Sequence, residues 1–586
     1  DPYTTLANWN TQLQIALNTT LTGPGTPINV NNAAYDIGHM FGQSGGGGNA
    51  GCIGCVCVDG VASGTGSTKG RGITSPADGI PQGDNFDIDY VAHEVGHQLG
   101  GNHTFTFSNE GTVAQKEVGA GITIMGYAGI TSYDPAPHSI DIFHEASIDQ
   151  IQVNLATKTC PITTNITATN HTPVVAPMTT VTIPISTPFV LTGSATDADP
   201  GDVLTYCWEQ NDLHGGQTAA NSVAYDAKPT GPNWLSFPAT TSPTRYFPRL
   251  STVQAGLLIT PPLPGGDAIC NIEALSSVSR TLNFRLTVRD NRPYVPVSPG
   301  PAAVGQTAYT DIAVVVTNTA GPFQVTSPNT NVSWCGGSPQ TITWDVNNTN
   351  TGTVNCANVK ISLSTDGGNT FPTILLASTP NDGSESVTLP NTATTTARIK
   401  VEAVGNIFYD MSNTNFTITV GTPINVTSQP SASTICSGLQ TTFTVAATGT
   451  SLTYQWQEST NGGTNWNNIT NGGVYSGAST TTLTLTNVTG SMNNNQYRCL
   501  ISSTSSCAAA NSNAALLVVN TVPAISGQPT VLTTLCSGGN VNLSVTASGT
   551  GISYQWQIST TGAGGPWTNI TNGGVYSGAT TASLTI

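Results

Sequence analysis

The sequence is poor in charge. Only 8% of its 586 residues are Asp, Glu, Lys or Arg, against roughly 25% in an average soluble protein. Lys and Arg number 15 against 31 Asp and Glu, a formal charge of −16. A phosphate-binding surface needs clustered Lys and Arg. Nucleic acid is therefore a poor partner for this chain, and a polybasic membrane patch is equally poor. Long hydrophobic runs are missing too. No apolar stretch approaches the roughly 20 residues that cross a bilayer, so no membrane span is expected. The first residues, Asp1-Pro2-Tyr3, carry no basic and apolar leader, and the expectation is that any signal peptide has already been removed.

Gly (63 residues), Thr, Ser and Asn carry the polar load instead. β-Branched Thr and Val between Gly and Asn turns read as secreted all-β modules. At roughly 100–200 residues per domain the length predicts three to five domains. Twelve Cys are spread along the chain, often one pair per predicted domain, which suits structural disulfides and an oxidising compartment. The expected location is extracellular, either secreted or attached to a cell surface.

Residues 1–160 differ from the rest. Leu6, Trp9, Leu13, Ala16 and Leu17 recur at helical spacing and predict a helix over roughly 5–20. Ala34 to Phe41 alternates and reads as a strand, Gly45 to Gly48 as a flexible loop. Further helices are predicted near 86–99 and 145–156. From about residue 161 the helical periods vanish and short strands take over. The last 165 residues contain a repeat: Cys436-Ser437-Gly438 and Tyr454-Gln455-Trp456-Gln457 return 100 residues later, from Cys536 and Tyr554. The second copy stops at Ile586, before its own version of Tyr497-Arg498-Cys499, and is expected to be truncated.

The chemistry concentrates in His93-Glu94-Val95-Gly96-His97-Gln98-Leu99-Gly100-Gly101-Asn102-His103, which fits H-E-x-x-H-x-x-G-x-x-H. His93 and His97, four apart, stack on one face of a helix and reach one Zn²⁺. Glu94 sits about 100° round the helix from His93, aimed at the water rather than the metal. Gly100 lets the chain break the helix and turn, which brings His103 round as third ligand. Three ligands leave a position open for water, as catalysis requires. Asp84 or Asn85 is the expected helix cap. Ile88, Val91, Val95 and Leu99 are the expected buried stripe.

Ile124-Met125-Gly126-Tyr127 follows His103 by 22 residues. With the three-His motif, it resembles the Met-turn of metzincin zinc peptidases, closest to the reprolysin-like (adamalysin-type) endopeptidases of secreted bacterial proteins. The resemblance implies an α/β catalytic domain, with Met125 as the floor beneath the His. Tyr127 is then either a transition-state donor, as in astacins and serralysins, or a packing residue. The strand near 34–41 would be the edge that pairs with an extended substrate, His39 a wall residue, and residues 128–146 the wall beyond the scissile bond. The front of such a domain is expected to be absent from this chain. Cys160 is expected to tie back to the cluster at 52–57, with Cys57–Cys160 and Cys52–Cys55 favoured.

Downstream, Asp197, Asp199 and Asp202 sit in a turn that resembles those of cadherin-like and polycystic-kidney-disease-like modules, where carboxylates bind Ca²⁺. The alternative is a solvated acidic turn. Cys207–Cys270 and Cys335–Cys356 are expected bridges, and the pairing of Cys436, with Cys507 or with Cys499, is left open. Trp456 and Tyr497 to Cys499 resemble strands of an immunoglobulin-like sandwich.

The fold class expected is multidomain: a metzincin domain, its N-terminal part lacking, then a string of all-β sandwiches. The boundaries are 1–160, 161–320 (cadherin-like), 321–421 (fibronectin-like), 422–521 and 522–586 (immunoglobulin-like). The expected function is a secreted zinc endopeptidase acting on extracellular polypeptides. Its sandwiches would serve for spacing or for attachment to a cell-surface or matrix protein or glycan. The alternative is an adhesin or filament protein with an inactive metzincin domain. A zinc hydrolase of non-peptide substrates fits the zinc chemistry but not the Met-turn.

Overall fold

The first helix, α1 (Leu6–Ile15), continues to Thr20 in wider, π-type turns. It is held by a polar contact as much as by its apolar side. The buried Gln14 accepts bonds from Thr68 Oγ1 (2.9 Å) and the Gly70 amide (2.8 Å). The structure, a computed structural model, describes residues 5–20, 32–43, 45–61, 63–297, 302–420, 424–503, 509–531, 534 and 536–586.

Three short strands follow: β1 (His39–Phe41), β2 (Gly47–Asn49) and β3 (Gly72–Ser75). Their order is β1-β3-β2, with β1 parallel and β2 antiparallel to β3. Two expectations change here. The strand expected over 34–41 covers only 39–41, and the glycine run expected as a loop supplies β2. Glycine is a weak strand former, but the paired β3, fully buried, provides the ladder.

The chain then winds through π-type turns over Asn85–Ala92 into α2 (His93–Leu99). Asp84 has helical backbone angles and makes no side-chain cap. The buried side of α2 is polar: His93, Glu94, Gly96, His97 and Gln98. Ile88, Val91, Val95 and Leu99, expected as the buried stripe, are only half-buried. Gln98 explains the reversal, because it bonds His39 Nδ1 (2.8 Å) and the Gly38 carbonyl (3.2 Å) and so ties the helix to the sheet. At Gly100 φ is +123°, and a Cβ there would lie 2.7 Å from that of Asn154. Both facts exclude a side chain. α3 (Glu145–Ala156) lies against α2 through Asn154 Nδ2, which donates to the Leu99 carbonyl (2.7 Å). Disulfides Cys52–Cys55 and Cys57–Cys160 pin the loop and the end of α3 together.

The rest is mostly β-structure, with a short helix at Leu250–Gln254. The chain forms two compact units: Asp1–Ser333 with Pro339–Thr388 and Thr394–Thr417, and Trp334–Ser338 with Leu389–Ala393 and Ile418–Ile586. In the first unit a four-stranded sheet orders Val181–Pro184, Thr307–Thr317, Arg280–Arg289 and Thr205–Gln210. It closes over Phe189, Trp234, Phe247 and Phe284, all fully buried. Two further sheets follow, one of Gln324–Ser327, Pro339–Asp345 and Ser384–Thr388, the other built round Asn358–Ser364 and Thr394–Ala403.

In the second unit, Leu452–Ser459 pairs with Gln496–Ser503, and Trp456, Tyr497 and Cys499 are fully buried in one core. Trp456 Nε1 donates to the Thr480 carbonyl, and Trp556 Nε1 donates to the Thr581 carbonyl, both at 2.9 Å. The sequence repeat is thus also a repeat of hydrogen bonding. Several bridges are corrected. Cys207, Cys270, Cys356 and Cys499 are buried free thiols and Cys436 an exposed one, so Cys207–Cys270, Cys335–Cys356 and Cys436–Cys499 do not form. Cys207 and Cys270 donate instead to different carbonyls, of Phe237 (3.3 Å) and Tyr133 (3.1 Å). Cys507 lies outside the described residues.

Candidate metal centre

α2 delivers His93 and His97 to one point, and the turn at Gly100 returns His103 to it. The ligand atoms of the three lie within 4.8 Å of one another. His97 Nε2 and His103 Nε2 are 3.0 Å apart. Every Nδ1 faces outward to an oxygen: His93 donates to the Ile124 carbonyl (2.7 Å), His97 to the Gly101 carbonyl (2.7 Å) and His103 to Glu110 Oε2 (2.8 Å). Those acceptors place the ring proton on Nδ1, which leaves the Nε2 lone pairs pointing together. Such a cluster of lone pairs fits a cation, and an oriented outer shell is what metal-ligating His requires.

Burial favours the neutral rings as well. It holds His93 well below the usual histidine range, with the charges of His97 and His103 adding to it. It lowers His97 to about 4, again helped by His103. His103 is also lowered by burial, against the pull of Glu110. Burial raises Glu94 to about 7, opposed by the Ala50 amide.

Met125 is fully buried, and its sulfur lies where a Cβ on Gly96 would sit, 2.6 Å away. It therefore packs under the ligand helix. Tyr127 packs its ring edge-on against His103 (4.5 Å) and at a tilt against His93 (5.5 Å) and Phe105 (4.8 Å). Burial, then the charges of Glu94 and Glu110, pushes its phenol up to about 12. A cleft of about 560 Å³ opens over His93, Glu94 and Tyr127, with Gly46–Gly48 along one side and Ala128 to Ile130 and Pro137 to Ser139 along another.

The edge at this cleft is β2, not the strand at 39–41. A Cβ on Gly48 would collide with the Glu94 carboxylate, so the glycine run lets the strand pass directly over Glu94. His39, expected as a wall residue, is not among the residues that line the cleft; it spends both ring nitrogens on Gln98 and Thr74 (2.8 Å each).

Residues 3–156 match the model for metallo-peptidase family M12B, reprolysin-like. This part of the chain is a reprolysin-like metallopeptidase domain. Zinc is the metal of this family, and the His93, His97 and His103 donor set fits it. The β-region that follows has immunoglobulin-like structural neighbours. One is Sidekick-1 immunoglobulin domains 1–5, at 15% identity and TM-score 0.20, covering 71% of this chain and 73% of that one. Another is the N-terminal four immunoglobulin domains of Dscam1 isoform 6.9, at 11% identity and TM-score 0.21, covering 71% and 92%. A third is the Drosophila OTK extracellular domains 3–5, at 14% identity and TM-score 0.20, covering 46% and 88%. Residues 425–521 also match a domain family of unknown function, DUF8696. No curated protein matches the chain.

Two residues of the reprolysin-like domain's site had no mark in the sequence. Glu110 orients His103. Glu117, buried, accepts from Thr104 Oγ1 (2.5 Å), Thr123 Oγ1 (2.6 Å) and the amides of Ile122 (3.0 Å) and Thr123 (3.2 Å). It clamps the segment after His103 to the segment entering the Met-turn. Their only sequence signal is that carboxylates are scarce in this chain.

The acidic turn stands apart from this centre. Asp197, Asp199 and Asp202 bring carboxylate oxygens within 4.8 Å of one another. Arg292 Nη1 bonds Asp202 (2.9 Å) and His171 bonds Asp199 (3.1 Å).

Proposed function

We propose that the chain is an extracellular zinc endopeptidase that hydrolyses peptide bonds of polypeptides. The observation that carries this reading is the convergence of three Nε2 atoms, each ring fixed through Nδ1, beside a buried carboxylate poised near neutrality. Zinc at these ligands supplies Lewis-acid polarisation of the scissile carbonyl and a more acidic water. Glu94 accepts the proton of the attacking water and delivers it to the leaving amine. The Tyr127 phenol, kept protonated far above neutral pH, donates to the developing oxyanion. The free edge of β2 pairs with an extended substrate, and glycines there leave room for its backbone.

The β-sandwiches beyond the one that adjoins the peptidase domain serve as spacers or as attachment modules for a cell-surface or matrix protein or glycan. Calcium at Asp197, Asp199 and Asp202 is a further part of the proposal. Its support is that Asp197 Oδ2 and Asp202 Oδ2 are buried without a hydrogen-bond partner. A calcium-dependent rise in melting temperature, lost in Asp202→Asn, is expected; no shift in the native chain removes calcium from the reading.

The main test is cleavage of an unfolded protein mixture by the chain and by Glu94→Gln. Loss of cleavage in the variant with one zinc still bound supports the reading. Equal, negligible cleavage by both zinc-loaded proteins overturns it in favour of an adhesin or filament.

A further inference from the structure

The wall of the cleft beyond the zinc ligands shares its core with the β-region that follows. Val118, Ile122 and Ala136 of the reprolysin-like domain share one buried cluster with Ala224, Leu235, Ile272 and Ala274. The latter four lie more than sixty residues past the end of that domain, within the same compact unit. Packing of this density ties the position of one side to the other.

The polar contacts are as specific. The Asp134 amide donates to Asp267 Oδ2 (2.8 Å), and the Asp267 amide donates back to the Asp134 carbonyl (2.8 Å). The Leu263 amide donates to the Pro135 carbonyl (3.0 Å), and Cys270 Sγ to the Tyr133 carbonyl (3.1 Å). A Cβ on Gly265 would lie 3.1 Å from the Pro137 ring, so the two loops touch without intervening side chains. Pro137, His138 and Ser139, which line the cleft, directly follow this clamped stretch.

We propose that the loop 263–270 of the adjoining β-sandwich is a specificity element of the peptidase. By fixing Tyr133–Pro137 it sets the depth of the pocket for the substrate side chain that follows the scissile bond. Asp267 and Cys270 are positioning residues, acting through the wall and not on the reacting atoms. The sandwich is on this account part of the enzyme, not a spacer. The inference rests on the endopeptidase reading. A peptidase whose wall folded alone would keep its preference whatever happened at residue 267.

The test uses the full chain, zinc-loaded, as native protein, Asp267→Ala, Asp267→Asn and Cys270→Ala. Cleavage sites in a peptide mixture are read by mass spectrometry, with zinc content and amide exchange over 128–139 measured in parallel. Asp267→Ala is expected to relax the preference at the position after the cut by about tenfold. Preferences before the cut should stay unchanged and zinc should stay at one equivalent. Asp267→Asn, which keeps an oxygen for the Asp134 amide, is expected to restore the native profile. Cys270→Ala, a smaller change should Asp267→Ala fail to fold, is expected to shift the same position in the same direction, with faster exchange confined to the wall. An unchanged preference in folded Asp267→Ala or Cys270→Ala overturns the inference while leaving the peptidase standing, and so does an equal change at every position. No cleavage by the native chain overturns both.

Discussion

His103 is held from both sides: its Nε2 lies 3.0 Å from His97 Nε2, and its Nδ1 donates to Glu110 Oε2 at 2.8 Å. The other two ligands lean on backbone carbonyls, so His103 alone depends on a side chain for its orientation. Glu110→Ala is expected to weaken zinc binding about 10–100-fold, read by competition with a chromophoric chelator. Affinity equal to that of the native chain would show that His103 needs no such support.

Tyr127 distinguishes donation from packing. Its ring contacts with His93, His103 and Phe105 survive in Tyr127→Phe, while the hydroxyl is lost. A transition-state donor predicts a fall in kcat of about 100-fold, with KM and zinc content little changed. Native kcat in Tyr127→Phe assigns the residue to packing.

Glu117 gathers four donors inside the protein, two hydroxyls and two amides. Glu117→Ala leaves all four buried without an acceptor, and a loss of about 3–5 kcal/mol is expected. Urea unfolding of the metal-free chain measures it. Because the clamp joins the segment after His103 to the Met-turn, zinc affinity should fall as well. A change below about 1 kcal/mol would mean the donors find other partners.

His144 gives the acid limb of stability. It caps α3, accepting from the Ala146 amide. Burial lowers its pKa to about 4, with Lys116 and Arg285 adding to that effect and Glu117 opposing it. Glu145 and Glu209 carboxylates approach it at 3.9 and 4.0 Å. The unfolded chain takes up this proton first. The stability held above pH 6.5 is therefore lost as pH falls from 6.5 to 4, by about 3 kcal/mol at most. His144→Asn keeps a cap and removes the titration. The stability difference between native and variant is expected to narrow or reverse across that window, measured by urea unfolding at pH 7, 6, 5 and 4. A constant difference would contradict a buried neutral His144.

The three-His cluster was legible in the sequence because its geometry is local. His93 and His97 meet through one helical turn, and His103 follows through a glycine turn, so spacing alone specifies them. The same holds for the helix at 145–156 and for the repeat of Tyr-Gln-Trp-Gln. Only the tertiary structure decided which strand borders the cleft. A run of glycines carries no strand signal of its own, and β2 exists because β3 offers it a ladder. Only the tertiary structure, too, supplied Glu110, Glu117 and the partners of the wall. Buried polar groups must find hydrogen bonds wherever the fold brings an acceptor near, and Asp267 is 133 residues from Asp134. The expected bridges at Cys207, Cys270 and Cys356 gave way for the same reason: cysteine spacing says nothing of three-dimensional separation, and each buried thiol found its own carbonyl instead.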